Sequence, residues 1–254
     1  MIRCKLIEVE QGSDEWKALR RGRITASRMS DVLAGKDTRR YIDYRMQLVL
    51  GLLGHQEDED RARWYEHGKA MEPHIRRAYA KRFDREVTAD VFCISEKYDW
   101  LGCSPDGLVL PDYDIAIEIK AREKMSTYEQ IVGKQRRLGK IDSSYRPQVQ
   151  AQMWIMGLPT IDYCEGWVNL EYQKTRLQVI TVPIDENLVK KMEIRCLQLM
   201  VEVFQLASRA NNNRHRRHAG AFRRSNTSNF PDLGTIRMRS PPNGFDSLYQ
   251  SSIR

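Results

Sequence analysis

Apolar residues along this chain recur in two rhythms, one helical and one alternating, and their order predicts a mixed α/β fold. Residues 13–34 read as a helical region broken by a turn. Ser13 or Asp14 is placed to cap Glu15–Arg20, Arg21-Gly22 interrupts, and Thr25 or Ser27 opens the next helix. A polar helix follows from Arg39 to about Leu53, then the acidic stretch Gln56–Asp60. From Ala62 to Phe83 the apolar positions Trp64, Ala70, Met71, Ile75, Tyr79 and Phe83 keep a roughly helical period, with Pro73 implying a helix start or a kink. Three strand-like segments come next, Glu86–Ser95, Leu101–Leu110 and Asp114–Ala121, separated by turn-forming residues. Thr127–Lys140 is a polar helix or loop, and Tyr145–Met156 a second helix closing at Gly157. Ile161–Leu170 and Thr175–Pro183 form a hairpin pattern around Glu171–Lys174. A long helix, Glu186–Arg209, then turns Leu188, Met192, Ile194, Leu197, Met200, Val201 and Phe204 inward.

After Asn211-Asn212-Asn213 the chain changes to Arg, Asn, Ser, Gly and Pro with few aliphatics, too little apolar surface to offset the entropy of ordering. Residues 1–210 are therefore expected to form one domain and residues 211–254 a flexible basic tail. Charge follows the same division. Of the net +8, eight arginines against two aspartates place +6 in the tail, so the charge of the main domain says little about its partner. Five scattered cysteines with no CxxC spacing argue against a disulfide framework and against a zinc or iron–sulfur site. Without an apolar run of membrane length or a signal-like N-terminus, the expectation is a cytoplasmic protein with no membrane partner.

The chemistry concentrates in Ser104-Pro105-Asp106-Gly107 and Glu118-Ile119-Lys120. On a strand, alternation sets Glu118 and Lys120 on one face and Ile115, Ile117 and Ile119 on the other, buried one. A tight hairpin brings Asp106 alongside. Two carboxylates converging at a sheet edge suit Mg²⁺, which neutralises charge on a scissile phosphate and acidifies an attacking water. Lys120 then positions or deprotonates that water, or stabilises the pentavalent phosphate. Taken alone, an ExK triplet is equally a surface salt bridge, and Asp-Gly an ordinary turn. His55, His67 and His74 lack ligand spacing, and the tryptophans read as core. Arg76, Arg77, Lys81 and Arg82, like Lys134, Arg136, Arg137 and Lys140, suit either a DNA backbone or a solvated helix face.

Read in order, five stretches change these odds: Trp16–Arg20 with Ile24–Ser27; Gly68–Pro73; Cys103–Gly107; Glu118–Lys120; and Tyr145–Gln150 ahead of Met153-Trp154. Together they resemble the phage lambda-type alkaline exonuclease and viral recombinase (YqaJ-like) family of the PD-(D/E)XK nuclease superfamily, over most of residues 12–205. The resemblance implies an α/β fold with a central mixed sheet flanked by helices. It implies Mg²⁺ (or Mn²⁺) held by Asp106, Glu118 and the Ile119 carbonyl, with Glu72 serving a second ion. Lys120 acts on the nucleophilic water, Gln148 orients substrate or water, and Arg20 and Ser27, with Ser104, hold a 5′-terminal phosphate. The implied activity is 5′→3′ digestion of one strand of linear duplex DNA, exposing a 3′ single strand for annealing-type recombination in a bacterial host or prophage-bearing cell. The implied partners are a single-strand annealing protein and two further copies in a homotrimer. The alternatives are an endonuclease without end preference and an inactive DNA-binding accessory protein. The presence of Glu72, Asp106, Glu118 and Lys120 together speaks against the latter.

Overall fold

A computed structural model describes residues 2–55 and 63–222, with side chains for 2–55 and 66–212. The acidic stretch Gln56–Asp60 and the tail beyond residue 222 lie outside the described residues. The chain divides into two compact units, Met1–Phe204 and Gln205–Arg254. The first unit holds all the elements that follow except the end of the last helix.

Strand β1 (Cys4–Glu8) leads into helix α1 (Asp14–Arg20), whose N-cap is Ser13, its Oγ accepting from the Trp16 N–H at 3.1 Å. The expected second helix is reached through a short strand β2 (Ile24–Thr25) and a 3₁₀ turn (Ala26–Arg28) before α2 (Met29–Val32). Helix α3 (Arg39–Leu52) follows its Thr38 cap, and α4 (Arg63–Phe83) runs unbroken through Pro73, so the proline neither starts nor ends the helix.

The sequence segments 86–95 and 101–110 are each shared between two sheets. The first becomes β3 (Val87–Thr88) and β4 (Val91–Ser95), separated where Asp90 takes a left-handed φ of 59°. The second becomes β5 (Leu101–Cys103) and β6 (Gly107–Val109), parted by Ser104-Pro105-Asp106. Periodicity shows where a strand lies but not which sheet receives it. Next come β7 (Ala116–Arg122), α5 (Met125–Leu138), α6 (Arg146–Met156), β8 (Thr160–Asn169), β9 (Lys174–Pro183) and α7 (Glu186–Phe222). Of the expected segment Thr127–Lys140, the part up to Leu138 is thus helical, and α7 continues past the expected end at Arg209.

The expected mixed sheet is present as five strands in the order β3-β6-β7-β8-β9, and a second mixed sheet, β1-β4-β5-β2, accompanies it. Parallel strands β7 and β8 require a crossover, which α5 and α6 supply. Strand β7 is consequently central and not an edge strand. One of its faces, with Ile117 and Ile119, packs on Met71, Ile75 and Tyr79 of α4, which are spaced four residues apart on one helix side. Gly166 of β8 admits this contact, since an added Cβ there would stand 2.6 Å from Ile75 Cγ1. The other face of β7 looks toward α5 and α6.

Helix α6 is buried on nearly all sides, against the 3₁₀ turn, α2, and strands of both sheets. It ends at Gly157 with φ 70°, the left-handed cap that glycine adopts without strain. On α7 the buried stripe within the first unit is Val189, Met192, Cys196, Leu199, Met200 and Val203. It is rotated from the expected face, leaving Ile194 56% exposed. Among the described residues no helix is long and apolar enough to cross a membrane. Cys93, Cys103, Cys164 and Cys196 are buried free thiols, and Cys4 is half-buried.

Candidate active site

The register of β6 against β7 places the acids. Gly107 opposes Ile117, and the Asp106 N–H donates to the Ile117 carbonyl at 3.0 Å, so Asp106 stands at the first residue before β6. Its glycine neighbour is required by close packing and not by a turn: a Cβ on Gly107 would lie 2.6 Å from Val87 Cγ1. Asp106 Oδ2 accepts from the Ile119 backbone N–H at 2.6 Å, bridging the two strands with a carboxylate. From α4, Arg76 Nε donates to the Asp106 carbonyl at 2.6 Å. Arg76 therefore faces inward, unlike a solvated basic stripe.

Glu118 and Lys120 share a face of β7 as alternation requires, but that face is buried as well, with Glu118 only 1% exposed. Three side chains hold the Glu118 carboxylate: Lys120 Nζ at 2.5 Å and Gln148 Nε2 at 2.6 Å donate to Oε1, and Gln152 Nε2 donates to Oε2 at 2.6 Å. The surface-salt-bridge reading of this triplet fails on burial alone. Lys120 Nζ also sits 5.0 Å from the centroid of Tyr145, whose ring the Arg122 guanidinium approaches to 5.6 Å. Arg122 continues the same face of β7 and pairs with Glu165 of β8, a fully buried acid that also accepts from Gln135 and the Tyr163 hydroxyl.

Glu72 reaches the cluster from α4. Burial first, then the Glu118 carboxylate, raises its pKa above the usual carboxylate range. Burial, then Glu118 and Glu72, lifts Asp106 well above its ordinary value. Burial works against the charge on Lys120, but Glu118 and Asp106 outweigh it and hold the ammonium above its ordinary pKa. The three acids therefore crowd one low-dielectric region with Lys120 and Arg76 as the nearby cations. The donor set is all oxygen, which fits a hard divalent cation, and like-charge crowding is what such a cation relieves. Among the described residues no three acidic, histidine or cysteine side chains already converge as a ligand set, and Glu118 is engaged by Lys120 and the two glutamines.

Arg20, Ser27 and Ser104 belong to a second group beside the first. Trp16 Nε1 donates to Ser104 Oγ at 2.8 Å, and the Arg20 guanidinium lies 4.3 Å over the Trp16 ring. Ser27 Oγ is 3.3 Å from Thr25 Oγ1, and the Thr25 N–H donates to the Tyr44 hydroxyl at 3.2 Å. Arg28 lies 4.4 Å over the Tyr44 ring. Burial pushes the Tyr44 phenol up to about 12, while the Arg28 and Arg20 charges act in the opposite sense, a mark of locally positive potential. Trp16 thus links Arg20 to Ser104, two residues ahead of Asp106, and Thr25 joins Ser27 to Tyr44, over which Arg28 lies.

Sequence reasoning missed Gln152, Arg76 and Tyr145 as members of the site. The usable signal was spacing: Gln152 follows Gln148, and Arg76 follows Glu72, by one helical turn. Trp64 lies where side chains are not described. Trp16 and Trp100 are core residues.

A model of the YqaJ-like viral recombinase domain matches residues 15–159 of this chain. The chain belongs to the YqaJ-like viral recombinase family. Among solved structures, the alkaline exonuclease LHK-Exo from Laribacter hongkongensis is 25% identical, covering 80% of this chain and 99% of that one with a TM-score of 0.66. LHK-Exo in complex with dAMP matches at 24% identity with the same coverage and TM-score. A phage related exonuclease from Haemophilus somnus 129PT shares 12% identity over 74% of this chain and 96% of its own, with a TM-score of 0.55. No curated protein matches. The expected family and the α/β fold with its mixed sheet are therefore both established for this chain.

Proposed function

We propose that this YqaJ-family protein is a metal-dependent 5′→3′ exonuclease that hydrolyses one strand of linear duplex DNA to leave a 3′ single strand for annealing-type recombination. The observation that carries the reading is the buried Asp106–Glu118–Lys120 cluster on β6 and β7, with Glu72 brought up from α4. Membership of a viral recombinase family and likeness to exonuclease folds support it.

Asp106, Glu118 and the Ile119 carbonyl would hold Mg²⁺ or Mn²⁺, and Glu72 would serve a second ion. When bound, the cation acidifies the attacking water and offsets charge on the phosphate. The Ile119 N–H aims the Asp106 carboxylate while Arg76 fixes its backbone carbonyl, so the carboxylate needs little rearrangement to act as a ligand. Lys120, held as an ammonium, donates a hydrogen bond to water or to a phosphate oxygen and stabilises the pentavalent phosphate. Gln148 turns an amide toward the same point and orients water or substrate. Arg20 stacked on Trp16, with Ser27 and Ser104, forms the receptor for a 5′-terminal phosphate. All these residues fall within the first compact unit, Met1–Phe204, which supports assigning the nuclease to residues 1–210 and not to the basic segment 211–254. The homotrimer and the annealing partner complete the reading by family resemblance.

The test is digestion of end-labelled linear duplexes beside a closed circle, with Mg²⁺ or with EDTA. Mononucleotide release from 5′-phosphorylated ends, resistance of the circle and loss of activity in EDTA are expected. Arg20→Ala is expected to erase the preference for phosphorylated over dephosphorylated ends. Cutting of the circle would make the protein an endonuclease, and activity in EDTA would remove the metal from the mechanism.

A further inference from the structure

Helix α6 presents two glutamines one turn apart, and each gives its amide to a different oxygen of the same buried carboxylate. Gln148 is half-buried and shares Glu118 Oε1 with Lys120. Gln152 is 1% exposed and, among the described residues, alone holds Oε2, at 2.6 Å. Its own carbonyl Oε1 has no hydrogen-bond partner among the described residues. A buried amide with one end unpartnered is costly, so packing does not account for this side chain. The carboxylate does. Reversing the amide would set two acceptors, Gln152 Oε1 and Glu118 Oε2, against each other, so Glu118 dictates the orientation and the orphaned carbonyl is its consequence.

We infer that Gln152 is a positioning residue for Glu118. It locks Oε2 on the buried side and leaves Oε1, the oxygen shared by Lys120 and Gln148, as the one offered to a divalent cation. The inference rests on the metal-dependent reading of the site given above. The two glutamines then divide the work. Gln148 exchanges its contact when a ligand arrives, and Gln152 stays in place, keeping the carboxylate plane from rotating about its side-chain torsions. Partners of this kind, behind a metal ligand, typically change metal affinity or activity by about 10- to 100-fold when removed. The position is internal to a helix packed between two sheets, so the lock is as rigid as the core around it.

Mg²⁺ binding by isothermal titration calorimetry, measured on the whole protein, separates this role from a structural one. Gln152→Met fills nearly the same volume without a donor, and Gln152→Asn keeps an amide that is one methylene too short to reach Oε2. Both are expected to weaken Mg²⁺ binding by about 10- to 100-fold. In EDTA the loss of the donor to the buried Oε2 is expected to lower the melting temperature of Gln152→Met by about 2–12 °C, with the protein still folded at the temperature of the titration. On duplex DNA at fixed Mg²⁺ both variants are expected to lower kcat with the KM for DNA unchanged. Should Gln152→Met not fold, Gln152→Asn carries the measurement. If wild type binds Mg²⁺, Asp106→Ala abolishes that binding, and the Gln152 variants bind as wild type does, the positioning role is overturned alone. If wild type itself binds no Mg²⁺, the metal reading of the site falls, and this inference with it.

Discussion

Asp106→Asn should make the metal-free protein more stable while destroying its proposed activity. Asp106 is 8% exposed, and Glu118 and Glu72 both raise its pKa after burial has already done so. Lys120 is the main opposing charge, Arg76 being held on the Asp106 backbone carbonyl, so two like charges face the carboxylate against that one main cation. One net unit charge at several ångströms is worth on the order of 2–4 kcal/mol at an effective dielectric constant near 20. Asparagine removes that repulsion, and its Oδ1 still accepts from the Ile119 N–H, although a neutral acceptor forfeits about 1 kcal/mol of the charge-assisted bond. The net gain is about 1–3 kcal/mol, or roughly 2–12 °C in melting temperature for a chain of this size. For an acid whose folded pKa lies above its unfolded one, the folded state binds more protons between the two values, and stability falls as pH rises through that window. The advantage of Asp106→Asn should therefore be full above the folded pKa and shrink as the pH drops through it. Differential scanning calorimetry in EDTA across pH 4–9, roughly the span on either side of an ordinary carboxylate pKa, reads both features. Added Mg²⁺ should raise the melting temperature of wild type but not of the variant. A variant no more stable than wild type at neutral pH, or a difference that does not vary with pH, would refute the account of the site as a cluster of uncompensated acids.

Two further predictions concern the framework beneath the site. Gly166→Ala drives a methyl group into Ile75 and should cost about 1–3 kcal/mol in urea unfolding, with partial recovery in the Gly166→Ala/Ile75→Val double variant; a neutral single substitution would mean that α4 does not sit this close to β8. Arg122→Met leaves Glu165 buried without its cation and should cost about 3–5 kcal/mol, whereas Arg122→Met with Glu165→Gln should cost clearly less; equal losses in the two proteins would show that the pair is not coupled.

Much of the site was legible because its residues recur at short, regular spacing. Alternation on β7 set Glu118 with Lys120, and a strand connection after Asp106 was enough to bring that acid alongside. The helices α1, α3, α4 and α6 were legible from caps, period and a C-terminal glycine, all of which are local properties. The strands flanking Asp90 and Asp106 were not separable, because a strand pattern in the chain carries no label for the sheet that receives it. The inner face of α7 was misplaced for a related reason. Leu188, Ile194 and Leu197 are apolar enough to suggest burial, but the packing partner selects which apolar stripe is covered.

The sequence by itself thus determined the candidate chemistry, carboxylates and a lysine in fixed order, because residue type and local spacing encode it. Only the tertiary structure decided that β7 is central and its acidic face buried. Nor could the chain alone show that Arg76 turns inward, that Gln152 closes on Glu118, or that Trp16 joins Arg20 to Ser104. Those facts depend on which distant segments meet, and burial then converts ordinary surface charges into acids with raised pKa values. The same cluster that would pass for a salt bridge on an exposed strand becomes, buried against α6, the candidate site proposed to receive a cation.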